Sequence, residues 1–224
     1  MSGEPGGGTS RLLLVEGVPG LGKSTILDGL MRRYVDETPA ERLRTVVMLA
    51  QTHTYGPLAA REDDGTLTVD ENLRHLDRLV TWLEWLVESA RDAPRTKCVV
   101  LVDTFHLTHC LRPGVVSWAD VAGMDQRLHA IGCRLLLLDA EDDTVRDRTV
   151  LARATTEFIR GYALGRFGDS EAGLIGHFQR ERDRFRTLYA ASAMTKRMVA
   201  AEDAVDDIIH TALAFWLEPC QPAP

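Results

Sequence analysis

Gly17-Val18-Pro19-Gly20-Leu21-Gly22-Lys23-Ser24 is the stretch on which the reading of the whole chain turns. Its spacing, G-x-x-x-x-G-K-S, is that of a Walker A phosphate-binding loop. Gly17, Gly20 and Gly22 admit backbone conformations closed to other residues, so successive N–H groups can turn inward on phosphate oxygens. A helix opening near Gly22 adds the positive end of its dipole. Lys23 then reaches the β- and γ-phosphates and the Ser24 hydroxyl ligates Mg²⁺, with Val18, Pro19, Leu21 and Thr25 completing the nucleotide-binding run. A turn that merely joined a strand to a helix would need neither the lysine nor the serine.

Upstream, Leu12-Leu13-Leu14-Val15 reads as a buried strand, and residues 23–34 as the helix that follows the loop. Residues 43–50 give a second strand. The polar stretch Gln51-Thr52-His53-Thr54-Tyr55-Gly56-Pro57 after it reads as a loop at a strand's carboxyl end, where ligands of open α/β sheets sit. Residues 62–65 read as a solvated acidic turn and residues 70–91 as a long amphipathic helix, its apolar face widened by Trp82 and Trp85. Val99-Val100-Leu101-Val102-Asp103 is an apolar strand ending in a carboxylate, the Walker B pattern in which Asp103 helps position Mg²⁺ and its water.

Further along, Ser117 caps a helix over residues 117–131, and residues 135–139 form a fourth strand. Residues 142–153 look helical, the glycine-punctuated stretch 161–168 breaks that pattern as a hinge, and residues 179–191 form a charged amphipathic helix. A last strand at 196–201 and a helix at 204–217 close the chain. This alternation, with the phosphate-binding loop, predicts an α/β protein of the three-layer P-loop NTPase fold, a five-stranded parallel sheet with helices on both faces; the segment at about 142–168 is the helical lid that the family resemblance given below implies. It predicts one domain over 11–218, between flexible tails at 1–10 and 219–224.

The 224 residues are 45% hydrophobic and 26% charged, as in soluble globular proteins. A formal net charge of -7 speaks against a nucleic-acid surface, and no apolar stretch is long enough to span a bilayer. The Gly-rich first ten residues lack the basic start and apolar core of a signal peptide. Cys98, Cys110, Cys133 and Cys220 form no C-x-x-C pair, so they read as reduced thiols of a cytoplasmic protein without a zinc site.

Val15-Glu16-Gly17-x-x-Gly20-x-Gly22-Lys23-Ser24-Thr25 resembles the opening of thymidylate kinases and deoxynucleoside kinases, in which a Glu-Gly pair precedes the loop. The likeness extends more loosely to the Asp-ended third strand, the arginine-bearing segment after the fourth strand, which resembles their lid, and the strand–helix finish. It implies transfer of the γ-phosphoryl of ATP, with Mg²⁺, to a small molecule. Three positions depart from the family pattern. Pro19 stands where thymidylate kinases carry an Asp that holds the nucleotide sugar. Asp103-Thr104 replaces an Asp-Arg or Glu-Arg pair, and Gln51 stands where deoxynucleoside kinases place a Glu base. The departures imply a divergent thymidylate-kinase-like enzyme with a different acceptor.

Phosphoryl transfer asks for positioning and charge neutralisation. Arg146, Arg148 and Arg153 are candidate lid residues, or else a solvated face paired with Asp142, Asp143 and Asp147; the family resemblance favours Arg148 and Arg153 as catalytic. Asp103 is the first candidate for base or metal-shell carboxylate, with His53 and His106 next and His109 beside them. Glu16 is placed to touch the metal's waters, and Tyr55, Phe105 and Trp118 either shape an acceptor pocket or pack the core. The expected activity is a small-molecule kinase acting on a hydroxyl of a nucleoside-, sugar- or antibiotic-like acceptor. A nucleoside monophosphate kinase is the alternative and would draw on Arg112 and Arg160 for the second phosphate. A nucleotide-dependent switch ATPase acting on a protein partner is another. The partner expected is thus a small-molecule acceptor, with neither nucleic acid nor membrane, and the resemblance to kinases that often dimerise through a helix like that at 70–91 makes a homodimer possible.

Overall fold

The computed structural model describes residues 9–37, 43–92, 96–111, 116–154, 164 and 166–218. Five strands, β1 (Thr9–Glu16), β2 (Leu43–Leu49), β3 (Thr96–Asp103), β4 (Cys133–Asp139) and β5 (Thr195–Ala200), form one sheet in the order β2-β3-β1-β4-β5. Every pairing is parallel. β1, β3 and β4 are the continuous apolar runs that a doubly covered parallel sheet requires, and residues 12–15, 99–102 and 135–138 are buried. The edge strand β5 instead carries Lys196 and Arg197, charges that discourage pairing with another chain.

From β1 the chain crosses over β3 to reach β2, then reverses direction to β3, β4 and β5. Right-handed crossovers therefore put α1 (Lys23–Glu37) on one face and α4 (Val69–Asp92), α6 (Trp118–Ala130) and α8 (Glu171–Ala191) on the other. The closing helix α9 (Val205–Leu217) packs beside α1, and α4 packs beside α6. Buried Arg134 on β4 donates to the Phe215 carbonyl and, at 2.9 Å, to the Glu218 carbonyl, which satisfies acceptors at the end of α9. Ser117 caps α6 as its sequence suggests: its hydroxyl and backbone N–H donate to the Asp120 carboxylate at 2.6 and 2.8 Å. Among the described residues no helix is long and apolar enough to cross a membrane.

Three sequence expectations change. The stretch after β2 is not a loop but two short helices, α2 (Gln51–Thr54) and α3 (Gly56–Asp63), with Pro57 in the first turn of α3, where its missing N–H costs nothing. Glu62 accordingly lies at the end of a helix, paired with Arg166 at 3.0 Å, rather than in a solvated turn. The segment after β4 is not one α-helix: α7 (Asp142–Thr144) runs into a π-helical turn (Val145–Val150) and a 3₁₀ turn (Leu151–Arg153). Half of the expected hinge at 161–168 lies outside the described residues.

Candidate active site

β1 and β3 lie side by side but lead in opposite directions across the sheet, so a crevice opens between their carboxyl ends, and Val15 pairs with Asp103 there. The glycine-rich loop fills it. Gly17, Gly20 and Gly22 all have positive φ, at 144°, 89° and 97°. A Cβ on Gly20 would stand 2.9 Å from the Arg148 carbonyl oxygen, so the loop admits the π-helical turn only because that atom is missing. The Thr149 hydroxyl fixes the contact by donating to the Pro19 carbonyl at 2.8 Å.

Lys23 opens α1 and curls back over the loop, its Nζ donating to the carbonyls of Gly17 (2.7 Å) and Val18 (3.3 Å). Burial pushes the ammonium pKa down; the nearby carboxylates of Asp103, Glu16 and Glu181 oppose that and Arg153 adds to it. The Ser24 hydroxyl donates to Oδ2 of Asp103 at 3.3 Å, and the Thr104 hydroxyl holds Oδ1 at 2.9 Å. Thr104 has φ of 62°, an unfavourable conformation for a β-branched residue, tied down by its N–H on the Val15 carbonyl. Among the described residues no group of three or more metal-ligating side chains gathers. One hydroxyl and one carboxylate at the loop mouth nonetheless fit Mg²⁺, which keeps several waters and takes phosphate oxygens as its other ligands.

Glu16 is fully buried and turned away from the loop. Its Oε1 accepts from the N–H groups of Phe105 (2.8 Å) and Leu107 (3.2 Å), and its Oε2 from the Thr108 hydroxyl (2.7 Å). It thereby anchors α5 (His106–His109), the single turn into which the chain coils after β3. Burial raises the Glu16 pKa, although His106, these hydrogen bonds and Lys23 pull the other way. Coiling turns both histidines into the core. His106 Nε2 lies 3.0 Å from Asp125, and His109 Nδ1 lies 2.5 Å from Oδ1 of Asn72. Asp125 also accepts from the Ser192 hydroxyl and the Ala193 N–H, both at 2.7 Å; burial alone would raise its pKa, but these bonds and His106 hold it below the usual range. Phe105 is buried in the core and Trp118, half-buried, packs against it.

Beside the loop lies a cleft of about 430 Å³, lined by Pro19, residues of α2 that include Gln51, Tyr55 between α2 and α3, residues of α3, then Arg153, Phe167, and His177, Phe178 and Glu181 of α8. Burial lowers the Arg153 pKa. The other expected groups sit elsewhere. Arg148 donates to the Ala201 carbonyl at 2.6 Å, and Arg146 is engaged by Asp143 and Asp147. His53 is exposed on α2, while Arg112 and Arg160 lie outside the described residues. Sequence reasoning passed over Phe167, Thr149 and Glu181. The spacing His177, Phe178, Glu181 on one helical face was the available signal for the last.

Sheet order and glycine-rich loop are those of a three-layer P-loop fold. A family model described as an AAA domain matches residues 12–160, and the chain belongs to that AAA-domain family. No curated protein matches the chain. Among solved structures it is similar to the YorR protein of Bacillus subtilis in complex with phosphorylated GDP, at 13% identity and a TM-score of 0.53, over 90% of this chain and 93% of that one. A looser overlap, at a TM-score of 0.43 and 16% identity, is with a gluconokinase from Sinorhizobium meliloti, over 95% of this chain and 91% of that one.

Proposed function

We propose that this chain is a phosphotransferase that moves the γ-phosphoryl of ATP, with Mg²⁺, to a hydroxyl of a small molecule. The supporting observation is the adjacency of two sites: Pro19 belongs at once to the phosphate-binding loop and to the wall of the 430 Å³ cleft. A cleft of that size suits a metabolite rather than a protein segment. In this reading the loop amides from Gly17 to Thr25 and the Lys23 ammonium hold the triphosphate. Ser24 and Asp103 hold Mg²⁺, which neutralises charge on the transferring phosphoryl. Arg153, at the cleft wall, stabilises the charge that develops as the phosphoryl passes across. Arg148 steadies the turn above the loop through Ala201. His53, on the exposed side of α2, and His106, tied to Asp125, stand outside the reacting groups. The reading is of a divergent relative of thymidylate kinases rather than a thymidylate kinase, because Pro19 and Thr104 stand where that pattern carries an aspartate and an arginine, and Gln51 where deoxynucleoside kinases place a glutamate.

The test is an acceptor screen in which the protein, Mg²⁺ and ATP meet pooled nucleosides, nucleoside monophosphates, sugars and hydroxylated antibiotics, with products followed by mass. One compound gains a phosphoryl mass, and Lys23→Ala abolishes the gain while weakening ATP binding roughly 10- to 100-fold, the worth of a charge-assisted contact. Phosphate release without any phosphorylated compound would instead favour a switch ATPase, and transfer to a monophosphate would favour a nucleoside monophosphate kinase.

A further inference from the structure

An acceptor hydroxyl loses its proton as it takes the phosphoryl group, and the candidates with histidine or Asp103 as base meet an obstacle. His106 and His109 are buried on Asp125 and Asn72. Asp103 has Oδ1 held by Thr104 and Oδ2 turned to Ser24, on the metal side of the loop. None of the three lines the cleft, and neither does His53; among the described lining residues the carboxylate is Glu181. Its helix is firmly held. One turn further along α8, Arg186 grips Asp139 at the end of β4 through bonds of 2.7 to 3.0 Å, and Arg182 donates to the Ala140 carbonyl and to Asp142. Glu181 is thus presented from a rigid element, close enough to the loop for its charge to act on Lys23.

The walls of the same cleft say what it accepts. Phe167 lies flat on His177, with ring centres 4.8 Å apart and planes 22° from parallel, and Phe178 meets both edge-on. Gly56 and Ala59, also in the lining, are small, and a Cβ on Gly56 would meet nothing closer than 3.6 Å. The stacked aromatic rings in the lining offer a flat ring an apolar face to lie against. Arg153 and Glu181 give the described walls one charge of each sign, a poor setting for an acceptor with its own phosphate.

We propose that Glu181 is the catalytic base and that the acceptor is an uncharged alcohol bearing a planar ring, of nucleoside type, seated against Phe167 and His177. The proposal rests on the kinase reading above and specifies its acceptor. The hydroxyl oxygen forms its bond to the γ-phosphorus as the bond from that phosphorus to the β,γ-bridging oxygen breaks. ADP leaves with the bond's electron pair, and the hydroxyl proton passes to the Glu181 carboxylate.

The experiment follows γ-labelled ATP with adenosine, thymidine, glucose, glycerol and thymidine monophosphate as acceptors, for wild type, Glu181→Gln, Glu181→Asp and Phe167→Ala. Affinity for a non-hydrolysable ATP analogue is measured on each. Wild type labels a nucleoside. Glu181→Gln lowers kcat at least about 100-fold, flattens the acid limb of the pH–rate profile, and leaves analogue affinity within about twofold. Glu181→Asp recovers part of the rate, and Phe167→Ala raises the nucleoside KM roughly tenfold. A full rate in Glu181→Gln, or a loss of analogue binding in step with the loss of rate, overturns the base assignment. Label only on glucose, glycerol or the monophosphate overturns the acceptor class and leaves the kinase reading standing, as does no label at all when the analogue binds. Failure to bind the analogue removes both.

Discussion

Removing the Glu16 side chain tests whether the catalytic crevice depends on a buried carboxylate. Glu16→Ala strips the acceptor from two buried amides, those of Phe105 and Leu107, and from the Thr108 hydroxyl. Each stranded amide costs about 1–3 kcal/mol, while relief of a desolvated carboxylate returns part of it, for a net loss of about 2–4 kcal/mol. In a chain of this size that is a fall in Tm on the order of 10 °C. Glu16→Gln keeps an acceptor for both amides and lets Thr108 accept in place of donating, so at neutral pH it stays within about 1 kcal/mol of wild type. The two variants also part in pH dependence. Because burial raises the Glu16 pKa above 4.5, the folded state binds that proton more tightly than the unfolded chain. Its contribution is fully present below pH 4.5 and declines as pH rises through the raised value. Glu16→Gln lacks this decline, so its stability relative to wild type improves across that window. Urea unfolding at a series of pH values reads both effects. A Glu16→Ala variant as stable as wild type, or a Glu16→Gln variant whose difference from wild type does not change with pH, would refute the reasoning.

Asp103→Asn keeps the Thr104 contact but takes the charge from the Ser24–Asp103 pair at the loop mouth; kcat should fall about 100-fold or more and the Mg²⁺ needed for half-maximal rate should rise. An unchanged Mg²⁺ titration would remove Asp103 from the metal's shell. Gly20→Ala introduces a side chain at φ of 89° and 2.9 Å from the Arg148 carbonyl. It should cost about 1–3 kcal/mol in chemical unfolding and weaken ATP binding, and wild-type values for both would show that the turn does not press on the loop.

Much of this was legible in the sequence because the signals were local. The apolar runs of β1, β3 and β4 can hardly be anything but buried parallel strands, and the loop's glycines, lysine and serine carry their geometry in their spacing. What was not legible depended on contacts far apart in the chain. Asp103, Phe105, His106 and His109 read as one polar site, but Glu16, from another strand, takes the N–H groups that coil them and sends both imidazoles inward. Gln51 to Pro57 has the composition of a loop, yet packing of Tyr55 and Leu58 into the interior makes two short helices of it. Helix α8 begins at Glu171, well before residue 179, because Ser170 accepts from the Gly173 N–H at 3.1 Å and so caps a stretch whose glycines argue against helix. That earlier start brings His177 and Phe178 onto the same helix as Glu181, and without it no cleft wall can be drawn.

The bond from Thr149 to the Pro19 carbonyl makes ligand occupancy on one side of the loop a matter for the other. Arg153, four residues beyond Thr149, borders the cleft, and Pro19 borders both cleft and phosphates. If an entering triphosphate favours one position of that turn, an entering acceptor must meet the same preference, and thermodynamic reciprocity makes the two affinities change by one common factor. In the kinase reading proposed above, this one hydroxyl is the contact through which the two affinities are coupled.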